Sequence, residues 1–389
     1  MDSPDLKEEL LVDSSPNNDL STNTYEASII TKTSDDSNIN KKWTVGAIFA
    51  AIILFVGTTA SEIIGQHISN DVPDYYFAIA VFTPFSGLIF YPIVVFVCHR
   101  YKLITAGLSK DTFTQTLYYG ILIGLCFSIH NILSDYGGSG QSAGKPDVST
   151  VLSLILQKLV VPVSLILEFS IARKMPSRYQ IGGVIILMVG VIVTAIATTK
   201  EDSENHTEHS NAYPFKIMCT IISTIPLALG YWFVKKARIA LPSVSAFELW
   251  MVLCLPETVF SIGLSFAGQA IKHKDGNMYT QLWEGLQCLI AGITPKHNPT
   301  LPCNNAAMFT WIALIPGYAF NLAIPVIIHH KGSTSVPLIR AVALPVASII
   351  AMSGIDSVIA TSFSWEGIIG VLLALLGLFV FYYKNSQKV

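Results

Sequence analysis

The sequence predicts an all-α integral membrane protein with ten transmembrane helices, arranged as two inverted repeats of five. Three observations support this prediction: the composition, a series of long apolar segments, and a pattern of glycine and proline that occurs twice. Of the 389 residues, 51% are hydrophobic and only 13% are charged, with a mean hydropathy of +0.53. Because a soluble domain carries about 25% charged residues, much of this surface must face lipid.

Ten apolar segments are each long enough to cross a hydrocarbon core of roughly 30 Å. They cover residues 43–67, 75–98, 113–134, 150–172, 179–199, 214–233, 245–268, 306–328, 335–352 and 365–383. The segments between them alternate in charge, with fourteen lysines and arginines on one side and six on the other. Because positive charge is retained in the cytosol, we expect both termini to be cytosolic.

Several classes of protein are disfavoured by the composition and motifs. A net charge of -2 removes the electrostatic basis for binding nucleic acid, and six scattered cysteines are too few for a disulfide scaffold. The sequence has no H-E-x-x-H, no G-x-S-x-G and no C-x-x-C motif. We therefore expect neither an enzyme nor a metal or cofactor site.

The chain divides into a tail, two halves and one long loop. Residues 1–40 are polar and are expected to form a disordered cytosolic tail. Residues 41–200 form the first five-helix repeat and 213–385 the second, which includes a luminal loop over 269–305. Within this loop the stretch Thr280–Gly292 has apolar residues at helical spacing, which predicts an amphipathic helix at the membrane interface.

Two covalent features are predicted on the luminal side. Cys288 and Cys303 lie in the long loop, where an oxidising compartment favours a disulfide between them over two buried thiols. The sequence Asn205-His206-Thr207 is a glycosylation motif in another loop assigned to the lumen.

The repeat is visible as matching glycines and prolines. Gly183 and Gly190 in the fifth segment have the spacing of Gly370 and Gly377 in the tenth, and Pro162 and Pro345 precede the two pairs. Because each half has five segments, the second half starts on the opposite side of the membrane, as in secondary transporters. The alternative is independent use of small residues for helix packing.

Polar residues inside membrane segments predict a cavity, because they are costly in lipid. At helical spacing Thr58, Thr59, Glu62 and Gln66 share one face of the first segment. In the third segment His130 and Asn131 share a face, with Ser128 at its edge, and the fourth segment adds Gln157 and Lys158. We expect a water-filled cavity open to the lumen.

Glu257 lies near the centre of the seventh segment, directly after the helix-disturbing Pro256. It is a candidate for taking up and releasing a coupled proton, and the alternative is a carboxyl bonded to a neighbouring helix. His130 is a candidate sensor of luminal pH or a packed polar residue. The alternative for Lys158 is extension to the luminal interface, whereas Glu168, Glu248 and Arg340 are expected to extend towards the membrane surface.

Four stretches resemble the chloroquine-resistance-transporter-like family of the drug/metabolite transporter superfamily. They are QKLVVPVSLILEF from Gln157, RYQIGGVIILMVGVIV from Arg178, TQLWEGLQCLIAG with the later Cys303, and IRAVALPVASI in the ninth segment. The resemblance implies ten helices in two inverted halves and a central cavity, to which Gln157 and the stretch from Thr58 to Ser61 would contribute. The best-known relatives have more cysteines in the long loop, and Glu257 has no acidic counterpart among them.

The resemblance implies a secondary transporter that exports small solutes such as amino acids or peptides, often with protons, from an acidic vacuolar or endolysosomal compartment. Its expected partners are the solute, protons and the lipid bilayer, and the protein is expected to be a monomer or a weak oligomer. Three alternatives remain. One is a thiol or glutathione transporter of another organelle, and another is a membrane receptor or scaffold that transports nothing. The third is a nucleotide-sugar carrier of the same superfamily, which would need more positive charge in the cavity than Lys158 supplies.

Overall fold

The described part of the chain is almost entirely helical. The computed structural model describes residues 45–72, 75, 77–102, 108–138, 141–142, 145–146, 156–173, 175–203, 213–272, 278–295, 301–352 and 365–383. The predicted tail over 1–40 and the glycosylation motif at Asn205 therefore lie outside the described residues.

The described residues form eleven helices and one short hairpin. The helices are α1 (Val45–Asp71), α2 (Phe77–Arg100), α3 (Lys110–Gly138), α4 (Val160–Ala172), α5 (Arg178–Ser203), α6 (Tyr213–Ala240), α7 (Ala246–Lys272), α8 (Met278–Ala291), α9 (Cys303–Lys331), α10 (Ser335–Met352) and α11 (Trp365–Tyr383). The hairpin pairs β1 (Gln141–Ser142) with β2 (Lys145–Pro146) in antiparallel fashion.

Each of the ten predicted apolar segments overlaps one of these helices, and α8 is the predicted loop helix. Six of the described helices, namely α1, α2, α3, α6, α7 and α9, contain stretches long and apolar enough to cross a membrane. Shorter apolar stretches lie in α4, α5 and α11. The chain is thus an all-helical membrane protein, while the count of ten spans remains a prediction.

Helices suit this apolar sequence because every backbone group finds its hydrogen-bond partner within the segment. Several contain proline, which interrupts that pattern at Pro84 and Pro92 in α2, Pro226 in α6, Pro256 in α7, and Pro316 and Pro325 in α9. Pro162 lies in the first turn of α4, where no helical hydrogen bond is lost. The structure therefore places Pro162 at a helix start, whereas Pro345 lies within α10.

Helices α5 and α11 pack together over much of their length, with their backbones in close approach. A Cβ atom added to Gly183 would lie 2.7 Å from the carbonyl oxygen of Gly377. A Cβ atom added to Gly190 would lie 2.6 Å from that of Gly370. Only glycine fits such distances, so all four predicted glycines serve helix packing.

The first helix of each predicted half packs against the other half. Helix α1 lies against α9 and α10, whereas α6 lies against α3 and α4. A Cβ atom on Gly57 of α1 would lie 3.1 Å from the Cβ atom of Phe320 in α9, and Gly230 of α6 lies similarly close to the ring of Phe127 in α3. The two sets of contacts mirror each other between the halves.

Helix α8 covers one end of the bundle and is joined to α9 by a disulfide. Cys288 and Cys303 form the expected bond. The apolar stripe of α8 does not face lipid, because Leu282 and Leu289 are buried in a cluster with Ile68 of α1 and Ala78 of α2. The amphipathic pattern is therefore explained by protein packing, with Tyr279 and Trp283 on the exposed side.

Candidate functional site

A cavity of about 240 Å³ lies at the centre of the bundle. Its walls come from α2, α3, α6, α7, α9 and α10, so that both predicted halves contribute. Most of the lining is aromatic or aliphatic, and the polar side chains are few. These are Thr83, His130, Asn131, Glu257, Asn321 and Arg340, together with the phenols of Tyr91, Tyr231 and Tyr318.

Arg340 supplies a positive charge to the cavity from α10. Its Nη1 donates a hydrogen bond of 2.5 Å to Tyr231 Oη, and its guanidinium lies 5.6 Å from the centre of the Phe320 ring. The expectation that Arg340 extends to the membrane surface was wrong, because these contacts hold it inward. A sequence signal existed: Arg340 is five residues before Pro345, as Gln157 is five residues before Pro162.

Glu257 supplies an acidic group from α7, at the point where α7 meets α3. A Cβ atom on Gly124 of α3 would lie 2.8 Å from the Glu257 backbone nitrogen. Ser128 Oγ donates a hydrogen bond of 3.0 Å to the Glu257 carbonyl oxygen and lies 3.0 Å from Ser261 Oγ. Ser128 thus positions the backbone of Glu257 and does not itself line the cavity.

His130 and Asn131 of α3 line the cavity, as the sequence predicts. The ring of His130 is buried, and its Nδ1 lies 3.0 Å from the carbonyl oxygen of Ser223 in α6. A neutral ring that donates from Nδ1 would satisfy this bond and present Nε2 as an acceptor. The contact favours a packed polar role that links α3 to α6.

Glu62 and Lys158 form a buried ion pair beside the cavity. Lys158 Nζ donates to Glu62 Oε1 over 2.6 Å, and the two side chains are only 5% and 9% exposed, respectively. Lys158 belongs to a turn that precedes α4 and meets α1, so the alternative of extension to the luminal interface does not hold. The second carboxylate oxygen of Glu62 has no hydrogen-bond partner among the described residues.

The other predicted cavity residues lie outside the lining of this cavity. Gln157 donates a hydrogen bond of 2.6 Å to Ser134 Oγ, and Thr59 Oγ1 bonds to the carbonyl oxygen of Phe55 at 2.9 Å. Thr58 is buried and Ser61 is half-buried. The side chain of Gln66 is outside the described part of the structure.

A connected series of aromatic side chains, the aromatic floor, forms part of the cavity lining. It consists of Tyr91, Phe127, Tyr231, Trp250 and Tyr318, all of which line the cavity. The rings form a connected series: Tyr231 contacts Phe127, Phe127 stacks on Trp250 at 6.1 Å, and Trp250 stacks on Tyr91 at 6.4 Å. Tyr318 then contacts Tyr91 at 5.5 Å.

Beyond the floor is a charged end, which consists of His99, Glu168, Lys235, Glu248 and Thr334. Glu168 accepts from both Lys235 and Thr334, which joins α4, α6 and the turn before α10. His99 Nε2 lies 3.2 Å from Glu248 Oε1, which joins α2 to α7. The expectation that Glu168 and Glu248 extend freely to the surface was wrong, because both are tied to neighbouring helices.

Glu248 has a second function in folding. Its Oε2 accepts from the backbone N–H of Ser245 at 2.9 Å, and Ser245 Oγ accepts from the backbone N–H of Glu248 at 3.2 Å. This is a capping box, which satisfies free donors at the start of α7. Glu248 therefore both caps the start of α7 and binds His99 of α2.

Comparisons with known proteins identify the family. Residues 47–382 match the family model described as CRT-like, chloroquine-resistance transporter-like. Among curated proteins of Dictyostelium discoideum, the chain is 24% identical to Crt homolog 3 over 301 residues, which are 70% of this chain and 60% of that protein. It is 21% identical to Crt homolog 1 over 88% of this chain and 74% of that protein, and 21% identical to Crt homolog 2 over 92% and 76%.

A solved crystal structure also has a similar fold. It matches with a TM-score of 0.52 at 11% sequence identity, over 87% of this chain and 97% of that one. At this identity the likeness concerns the fold alone. Since the family model covers the helices from α1 to α11, the chain belongs to the CRT-like, chloroquine-resistance transporter-like family.

Proposed function

We propose that the protein is a secondary active transporter that exports small nutrient-like solutes, such as amino acids or peptides, from an acidic vacuole to the cytosol. The observation that carries this proposal is the cavity, which both predicted halves line and whose lining includes the aromatic floor. A cavity of about 240 Å³ suits a small metabolite. Such export would lower the osmotic load of the vacuole and alter its pH balance.

Alternating access needs two halves that can exchange roles, and the helix packing supports an inverted repeat. The contact of α1 with α9 corresponds to that of α6 with α3, and α5 meets α11 across matching glycines. In inverted-repeat transporters the substrate site lies between the halves near the midplane. We infer ten membrane spans on this basis, with the charged end towards the cytosol.

Glu257 is the residue that we propose for proton coupling. It is the one carboxyl among the cavity residues that the structure describes, and Gly124 and Ser128 hold its backbone against α3. A carboxyl that faces the lumen in one state and the cytosol in the other can carry a proton down the gradient of an acidic compartment. Export of solute would then be driven by proton release to the cytosol.

The proposal can be tested with oriented proteoliposomes that contain the full-length protein. They are loaded with amino acids, dipeptides and thiols at acidic internal pH, and efflux is measured with and without a pH gradient. We expect gradient-stimulated efflux that Glu257→Gln removes. The control is Glu284→Gln, which changes a carboxyl of α8 outside the cavity lining.

Three results would change the proposal. If gradient-stimulated efflux persists in Glu257→Gln, the protein is still a transporter, but this residue is not the proton carrier. Efflux of thiols alone would favour an organellar thiol or glutathione transporter. Absence of flux from well-folded protein would favour a receptor or scaffold.

A further inference from the structure

Glu62, Lys158 and Arg340 place three charged groups in and beside the cavity, on the side of α10. Glu62 and Lys158 neutralise each other in a direct contact of 2.6 Å, and both lie close enough to Arg340 to act on its charge. In the part of the chain that the structure describes, no carboxylate lies within salt-bridge distance of Arg340. Arg340 therefore faces the cavity without a direct carboxylate partner among the described residues, and the one described carboxyl of the lining, Glu257, lies on a different helix, α7.

An unpaired guanidinium is costly in a membrane interior, which gives it a strong tendency to bind an anionic group. The partners that Arg340 does have are neutral: the hydroxyl of Tyr231 and the ring of Phe320. The hydrogen bond to Tyr231 uses one Nη1 donor and fixes the direction of the guanidinium plane. A guanidinium has five donors in a planar fork, so that donors remain for a planar, two-oxygen anion.

We propose that Arg340 is the specificity-determining residue of the cavity and binds the carboxylate of the transported solute, with Tyr231 as its positioning residue. The inference deepens the proposed function, because it takes this cavity as the solute site. It assigns the substrate class as solutes with a free carboxylate. Amines and amides of the same size are poor ligands.

Comparison of the halves supports a dedicated role for this arginine. Gln157 has the corresponding position before Pro162, and its amide is bonded to Ser134 Oγ within the first half. The two halves thus share a polar residue at this position, but only the second half supplies a charge. The charge makes the cavity electrostatically asymmetric, with Arg340 on α10 and Glu257 on α7.

Binding can be measured without transport, through the melting temperature of the purified full-length protein in lipid nanodiscs, because a ligand stabilises the folded state by mass action. The probes are matched pairs: leucine against leucinamide, and alanyl-leucine against its C-terminal amide. Chloride and inorganic phosphate test for unspecific anion binding. We expect each acid to bind at least about tenfold more tightly than its amide, which corresponds to loss of a charge-assisted hydrogen bond.

The variants separate the carboxylate contact from general effects on folding. Arg340→Gln should reduce the ratio between acid and amide to about one. Arg340→Lys and Tyr231→Phe keep the positive charge but lose the oriented fork, and should give intermediate ratios. Arg178→Gln, which makes the same change at the exposed start of α5, should leave the ratio unchanged.

Four outcomes would overturn the inference: equal binding of acids and amides, absence of binding by every acid, a preference for acids that survives in Arg340→Gln, or equal stabilisation by chloride and phosphate. Because the measurement does not require flux, its result is independent of the proposed function. If acids bind specifically but no flux is found, only the proposal of transport is refuted. If acids and amides are exported equally well, only the proposed role of Arg340 is refuted.

Discussion

Gly183 of α5 and Gly377 of α11 pack backbone against backbone, and the contact is reciprocal. A Cβ atom on either glycine would lie 2.7 Å from the carbonyl oxygen of the other. Gly190 and Gly370 meet further along the same two helices. The first glycine of each matched pair thus meets the second glycine of the other pair, as expected for two helices related by a twofold axis.

This contact predicts that a single methyl group at either position separates α5 from α11. We expect Gly183→Ala and Gly377→Ala each to lower the free energy of unfolding by about 1–3 kcal/mol, because the added Cβ atom meets fixed backbone atoms. Thermal or denaturant unfolding in detergent measures the change. Gly182→Ala is the matched control, since nothing lies within 4 Å of its added Cβ atom. Equal effects at positions 182 and 183 would contradict the packing argument.

The charged end should control access to the cavity from one side. We expect Glu168→Gln to loosen the contacts with Lys235 and Thr334 and to increase labelling of the cavity cysteine, Cys254, by a membrane-impermeant maleimide from that side. The increase should be about two- to fivefold, since a partly exposed ion pair contributes up to about 1 kcal/mol.

The labelling experiment needs a background without the other free cysteines, Cys98, Cys126 and Cys219, and with the disulfide retained. The charge swap Glu168→Lys with Lys235→Glu restores an ion pair and should return labelling to the slow rate. Unchanged labelling in Glu168→Gln would mean that the aromatic floor alone closes this side.

Loss of the disulfide should destabilise the end of the bundle that α8 covers. The bond joins residues 15 apart in sequence, and a loop of that length corresponds to about 3 kcal/mol of stabilisation in the chain-entropy model. We expect Cys288→Ser and Cys303→Ser to lower the melting temperature by similar amounts, and the double variant to do no more than either. Cys98→Ser controls for general effects of thiol removal. Additive effects of the two variants would show that the thiols act separately.

Asp71 should make stability depend on pH. It ends α1 near His67, whose ring stacks on Phe309 at 4.5 Å. Burial raises the pKa of Asp71 above its ordinary value of 3.8, and the nearby His67 partly offsets that effect. Because the folded pKa exceeds the unfolded one, the contribution of Asp71 to stability is complete below the unfolded pKa and is lost as pH rises through the folded pKa.

The variant Asp71→Asn stays neutral at every pH and should therefore melt higher than the wild type at pH 7. The difference in melting temperature should shrink as the pH is lowered from 7 to 4. A difference that stays constant over this range would show that Asp71 is not the source of the dependence.

Much of the fold follows from the sequence because a helix in lipid depends on local properties. The length of each apolar stretch predicts where a helix begins and ends. The predicted bounds of the last two segments, 335–352 and 365–383, coincide with those of α10 and α11. The glycine spacing predicted a repeat, and the structure places these glycines where α5 and α11 meet. These features need no knowledge of the neighbouring helices.

The cavity was predicted less completely because helical periodicity shows which residues share a face and not what that face meets. His130 and Asn131 were identified, whereas Ser128, one turn away, faces α7. The stripe on α1 that includes Glu62 meets Lys158 and does not line the described cavity. Arg340 could have been found only by aligning the halves, since hydropathy places any arginine near an interface.

The disulfide between Cys288 and Cys303 also has a mechanical consequence. Cys288 lies in the last turn of α8 and Cys303 is the first residue of α9, so the covalent bond makes the two helices move together. Because Leu282 and Leu289 of α8 lie in a buried cluster with Ile68 of α1 and Ala78 of α2, a tilt of α9 would displace helices of the first half as well. Helix α8 would then transmit movement from one predicted half to the other.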